Sequence, residues 1–317
     1  MRRPMSRGGL LAAAVLLLWL GGPMPGLAKG AGGGSGDGRA AASEAALSVF
    51  VSILPQAYFV ERIGGERVQA ETMVEPGQEP HTFEPTPKQL ARLAEADVYF
   101  RIGVEFENSL MPRIQSTMKE LRVVDCREGV RLRETEEHDR KEQHREGTEH
   151  DDDEHEGADP HIWLSVRNAV QIAGTMREAL LELDPVGTDA YESGYRALVE
   201  DLEALDRRIA SILEPVKGEP FLVFHPAFGY FADDYGLEQI AVQTGGTEPS
   251  ARELARLIEK AGEEGVRVIF VQPQFSRRSA ETVASEIGGA VVPIDPLARD
   301  YIENLERMAR TVEEGLR

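Results

Sequence analysis

Short β-branched runs alternate with helix-patterned stretches along this chain, and that alternation leaves few folds open. Residues 47–54 read as a buried strand ending at Pro55, residues 56–63 carry helical spacing up to Gly64-Gly65, and residues 68–74 form a second strand closed by Pro76-Gly77. Thr86-Pro87 opens a helix with Leu90, Leu93 and Ala94 on one face, because threonine suits the N-cap and proline the first helical position. Strands follow at 97–102 and 122–125, with a helix over 105–120 between them. The second half repeats this style. It has strands at 221–224, 239–242, 266–271 and 290–294, and helices from a capping box at 250–253 to Ala261, over 279–287, and over 301–316. Strands separated by helices pair in parallel, so an α/β fold with parallel sheets is expected.

Two longer helical patterns lie between the halves. The first carries Val166, Val170, Ala173, Met176, Ala179 and Leu180; the second, beyond Pro185, carries Tyr195, Leu198, Leu202, Leu205, Ile209 and Ile212. A helix of about 25 residues extends roughly 40 Å, longer than a small domain is wide. The expected organisation is an N-terminal α/β domain over 47–164, linking helices over 165–217 and a C-terminal α/β domain over 218–317.

One stretch fits neither pattern. Residues 134–161 hold five of the chain's seven histidines among thirteen carboxylates, with almost no apolar side chains. Such a run cannot bury a face, so 134–159 is expected to be a solvated loop. His138, His144, His150 and His155 are candidates for weak accessory metal binding, and a solvated acidic insertion with incidental metal affinity is the competing account.

The N-terminus has the form of a secretory signal over 1–28: Arg2, Arg3 and Arg7, an apolar run over 10–20, then Gly26-Leu27-Ala28. The run is shorter than the roughly 20 apolar residues a membrane span needs, and no cysteine stands at the cleavage position for lipid attachment. Residues 29–46, rich in glycine, alanine and serine, are expected to be a flexible tether. The formal net charge of −20 excludes nucleic acid and anionic membranes as partners. The single cysteine, Cys126, can form no intrachain disulfide.

Outside the acidic run only His81 and His225 remain, and both follow strands. Ligands in open α/β sheets bind beyond the carboxyl ends of the strands, where loops and helix N-termini converge. Asp295 follows the last strand, and His161 stands where apolar residues resume after the run. A proline adjoins each of the four (Pro80, Pro160, Pro226 and Pro296). Three imidazoles and a carboxylate suit tetrahedral Zn²⁺. Singly, each histidine is more commonly a hydrogen-bonded turn residue and Asp295 a cap or turn former; their coincidence at strand and loop ends makes a shared metal site plausible.

Four segments together resemble a known family. They are Pro76-Gly77-Gln78-Glu79-Pro80-His81-Thr82-Phe83-Glu84-Pro85-Thr86-Pro87, Asp159-Pro160-His161-Ile162-Trp163-Leu164, Phe224-His225-Pro226-Ala227-Phe228-Gly229-Tyr230 and Ile294-Asp295-Pro296-Leu297. In this order they are similar to the ligand segments of the metal-specific solute-binding proteins of ABC importers. The resemblance implies two (β/α)-type domains joined by a long rigid helix, with the metal in the interdomain cleft. It implies His81, His161 and His225 as ligands, and Asp295 as a fourth ligand or a near neighbour. Histidine at the third position implies zinc rather than manganese, in keeping with the preference of Mn²⁺ for oxygen ligands. The expected function is periplasmic capture of Zn²⁺ and delivery to the membrane permease of an ABC zinc importer, by a monomer without a stable membrane anchor and without catalytic activity. The rivals are a Mn²⁺-binding member of the same family, a zinc hydrolase with Glu79 or Glu248 as general base, and a metal buffer acting through the loop alone. No HExxH spacing supports the hydrolase.

Overall fold

The computed structural model describes residues 46–134, 157–243 and 250–317. The expected signal, nearly all of the tether, the accessory histidines His138, His144, His150 and His155, and Glu248 lie outside the described residues.

The first sheet contains β1 (Leu47–Val51), β2 (Val68–Thr72), β3 (Val98–Arg101) and β4 (Arg122–Asp125) in the order β2-β1-β3-β4, every pair parallel. Its crossovers run through α1 (Leu54–Gly64), α2 (Pro87–Leu93) and α3 (Phe106–Thr117). Two helices follow, α4 (Val166–Leu183) and α5 (Thr188–Leu213). The second sheet contains β5 (Pro220–Val223), β6 (Glu238–Ala241), β7 (Val268–Val271) and β8 (Ala290–Pro293) in the order β6-β5-β7-β8, again all parallel. Helices α6 (Gly229–Tyr235), α7 (Ala251–Glu263) and α8 (Arg277–Glu286) connect its strands, and α9 (Tyr301–Leu316) ends the chain. The two halves share one strand order. In each, the first strand lies between its second and third, so the direction of winding switches at β1 and at β5, and a crevice opens at the carboxyl edge there.

Period-two alternation assigns the faces of the second sheet. Phe221, Val223 and Phe270 enter the large core that also holds β1, β3 and α5, while Leu222, Phe224, Ile269 and Val271 pack in a second cluster with Ala280, Val283 and Ala284 of α8. Helix α5 packs on α1 and α4 from one half and on α9 from the other. It buries Tyr191 and, seven residues on, Leu198, Leu202, Leu205, Ile209 and Leu213 at three- and four-residue spacing. Its 26 residues span about 39 Å at about 1.5 Å per residue. At Gly194 an added Cβ would lie 2.4 Å from the Ile63 carbonyl oxygen. The backbones of α1 and α5 therefore approach more closely than any side chain permits.

Several boundaries differ from the sequence expectation. β1 ends at Val51, and Pro55 lies in the first turn of α1, where its missing N–H costs nothing. α5 begins at Thr188, shortly beyond Pro185 as expected, but its buried stripe starts at Tyr191 rather than Tyr195. The short α6 carried no recognisable start signal, since it opens on Gly229 with no side-chain cap.

Candidate metal centre

His81 lies on the loop between β2 and α2. The Glu79 carboxylate shapes that loop: it accepts the backbone N–H of His81 (2.9 Å) and of Thr82 (2.8 Å) and the Thr82 hydroxyl (2.8 Å). Just beyond, Thr86 caps α2 in a reciprocal bond with Gln89. His225 stands two residues past β5, at the switch point, and its backbone carbonyl accepts from the Gln272 amide (3.0 Å). His161 opens a 3-10 turn over Ile162–Leu164 that leads into α4. This turn is anchored to the second half by the Trp163 indole donating to the Pro296 carbonyl (2.8 Å) and the Tyr301 hydroxyl donating to the Trp163 carbonyl (2.6 Å).

The three imidazoles converge. One ring nitrogen from each lies within 4.8 Å of the other two, and His81 Nε2 is 3.0 Å from His225 Nε2. Ring centroids are 4.7–5.3 Å apart. The opposite nitrogen of every ring faces an acceptor: His81 Nδ1 the Glu105 carboxylate, His161 Nδ1 that of Asp159 (2.8 Å), and His225 Nδ1 the Gln243 carbonyl oxygen (3.2 Å). An acceptor at Nδ1 holds the proton there and leaves the lone pair on Nε2. Three lone pairs therefore point at one volume. His161 and His225 are buried, and Phe275 stacks on the His225 ring at 4.7 Å.

The electrostatics separate the histidines. Burial opposes a charge on His81, but the Glu105 hydrogen bond and the nearby Glu105, Glu79 and Asp159 carboxylates outweigh it and raise its pKa above 6.5. Burial, reinforced by the charges of His161 and His81, pushes His225 down to about 2. Asp159 is buried, yet its hydrogen bond and charge pairing with His161 and the nearby Arg133 hold its pKa below the usual carboxylate value. Burial raises the pKa of Glu107, which accepts from Ser52 Oγ (2.5 Å) and from the backbone N–H groups of Ile102 (2.9 Å) and Gly103 (2.8 Å). These bonds fix the turn that presents Glu105.

Asp295 stands outside the histidine cluster. Its Oδ1 accepts from the Gln274 amide (3.2 Å) and the Leu297 N–H (3.0 Å), and it lines an adjoining cavity with Ile53, Val74 and Arg299. Gln274 and Leu297 line both this cavity and the histidine-lined one. Sequence reasoning missed the orienting residues Glu105, Asp159 and Gln243, and Gln272 and Gln274 on the cavity wall. Glu105 and Gln272 follow β3 and β7 directly enough that the strand-end rule applied to the histidines would have found them. Asp159 was in view beside His161, but a side chain folding back on its own loop leaves no distinctive spacing.

Residues 49–315 match the family described as zinc-uptake complex component A, periplasmic (ZnuA). The high-affinity zinc uptake system protein ZnuA of Bacillus subtilis is 30% identical over 275 residues, covering 86% of this chain and 85% of its own. The zinc-binding lipoprotein AdcA of Streptococcus pneumoniae is 28% identical over 281 residues, and there the match covers 86% of this chain but only 54% of the relative, about half its length. Among solved structures, a crystal structure of ZnuA aligns with a TM-score of 0.77 at 38% identity, over 86% of this chain and 100% of that one. A zinc-bound deletion mutant of ZnuA aligns with a TM-score of 0.76 at 38% identity, over 85% and 98% of the two chains. With a matching family model across both sheets and the helices between them, this chain belongs to the ZnuA family of periplasmic zinc-uptake components.

Proposed function

We propose that this protein captures Zn²⁺ outside the cytoplasmic membrane, with His81, His161 and His225 as ligands, and delivers it to the permease of an ABC importer. The convergence of three Nε2 lone pairs carries this reading. Two imidazole lone pairs 3.0 Å apart repel each other unless a proton or a cation lies between them. Burial disfavours resolving that repulsion by charging His225, whereas a divalent cation satisfies all three rings at once. The Bacillus relative's name and the zinc in the deletion-mutant structure support the same metal. An all-imidazole set favours Zn²⁺ over Mn²⁺, which prefers oxygen donors.

The metal's place between elements of both halves supports two domains, 47–164 and 218–317, meeting at a cleft and joined by residues 165–217. Among the described residues no helix is long and apolar enough to cross a membrane. A hydrolase is disfavoured by the motif, since no HExxH spacing is present. The family is one of uptake components, not enzymes.

The test is competition with a chromophoric chelator. His81→Ala and His225→Ala should each weaken Zn²⁺ binding by at least about 100-fold, as expected for loss of one ligand in three. Wild-type affinity in both variants would place the site elsewhere. Asp295→Ala asks whether the carboxylate completes the set. A loss of similar size would make it a ligand, and a loss of less than about tenfold would leave it a neighbour.

A further inference from the structure

Two glutamines on the wall of the histidine cavity each have a carbonyl oxygen without a hydrogen-bond partner among the described residues. Gln272 and Gln274 lie just beyond β7, beside His225, and both line the cavity with the three histidines. Oε1 of each is buried and, among the described residues, unpartnered. Neither amide can be turned around to relieve this. Gln272 Nε2 donates to the His225 backbone carbonyl (3.0 Å), and Gln274 Nε2 donates to Asp295 Oδ1 (3.2 Å). Both partners are acceptors only, so exchanging N and O would set oxygen against oxygen. An orphaned buried acceptor is costly, roughly 1–3 kcal/mol, and two on one wall call for a common donor.

Resting on the three-histidine reading, we propose that Gln272 and Gln274 hold a water on the captured zinc. The ion's fourth position is taken by a water whose two hydrogens go to the two glutamine oxygens. The stoichiometry closes: three imidazole nitrogens and one water oxygen complete a tetrahedron, and two O–H groups meet two acceptors. An ion held by three neutral rings and an exchangeable water keeps a position through which it can be handed on. A water anchored by two amides also resists replacement by a passing anion. Gln272 and Gln274 are therefore positioning residues that act through the solvent ligand.

The test uses the whole protein loaded with Co²⁺, whose visible spectrum reports the ligands, alongside Zn²⁺ affinity by chelator competition. Thiocyanate titrated into the Co²⁺ form reads the fourth position. Gln272→Met and Gln274→Met should each let thiocyanate replace the water at a concentration at least about tenfold lower than in wild type, while Zn²⁺ affinity changes by less than about tenfold. Thiocyanate midpoints unchanged in both variants would overturn the proposal. So would a Zn²⁺-bound crystal structure with a carboxylate in the fourth position and no water on either glutamine oxygen. Failure of wild-type protein to bind Zn²⁺ tightly would instead refute the three-histidine reading itself, so the two failures are distinguishable.

Discussion

At the scale of single residues, the carboxylate behind His81 sets how the site meets acid. In the proposed site Zn²⁺ takes the Nε2 lone pair, and a proton competes for the same ring. Because Glu105 and its acidic neighbours hold the His81 pKa above 6.5, protons begin to compete as pH falls through that raised value. Below it the affinity should fall about tenfold per pH unit for one competing proton. His225, pushed to about 2, stays neutral throughout and adds nothing to this dependence. Glu105→Gln removes the charge that raises His81. Calorimetry across pH 5.5–8.5 should then show the onset of competition at lower pH, and an affinity at pH 8 about 10–100-fold weaker because the ring loses its anionic partner. The three histidines were legible in the sequence because each sits beside a proline at a strand or loop end. Their partners were less so. Glu105 lay within reach of the strand-end rule, but Gln243 meets His225 from beyond β6 only after the sheets have formed, and no spacing along the chain records that meeting.

At the scale of elements, α5 and its contact with α1 carry the testable consequences. The buried stripe from Tyr191 to Leu213 follows helical periodicity, so this helix and its start beyond Pro185 were legible; Tyr191 as the first residue of the stripe was not. The close approach at Gly194 was invisible, since the constraint is a neighbouring backbone rather than a pattern. Gly194→Ala gains helix propensity of about 1 kcal/mol, but its methyl group must displace the Ile63 carbonyl. A net destabilisation of about 1–3 kcal/mol is expected in urea denaturation, as for other overpacked contacts. Leu202→Ala and Leu205→Ala, both at wholly buried positions, should each cost about 2–5 kcal/mol in the same measurement. The turn ahead of α3 makes a separate prediction. Glu107→Ala leaves the N–H groups of Ile102 and Gly103 without their acceptor, so a loss of about 2–4 kcal/mol is expected, with weaker Zn²⁺ binding through the displaced Glu105.

At the scale of the whole molecule, the proposed ligands come from both halves, so metal bound as proposed would make binding a measure of global stability. Zn²⁺ at about 100 times its dissociation constant should add about 2.7 kcal/mol, read as a rise in melting temperature that His161→Ala abolishes. Deleting residues 135–156, which hold the four accessory histidines, should leave this rise intact if the high-affinity site is the three-histidine cluster. The fold class was legible because each strand is followed by a helix; the identical strand order of the two sheets emerged only from their pairing. That pairing has a kinetic consequence. Every rung of the two sheets is parallel, so Leu47 meets Val68 and Val98 meets Arg122 only after a whole crossover has closed, and no hairpin within the sheets can form early to guide the others. Chains dominated by such distant partners fold in milliseconds to seconds, whereas a helix such as α5 forms in about a microsecond. In stopped-flow refolding, far-ultraviolet dichroism should therefore lead the fluorescence of Trp163, which is buried where the two halves meet. A polypeptide that lingers unfolded on this timescale keeps its unpaired strand edges open to other chains for that interval.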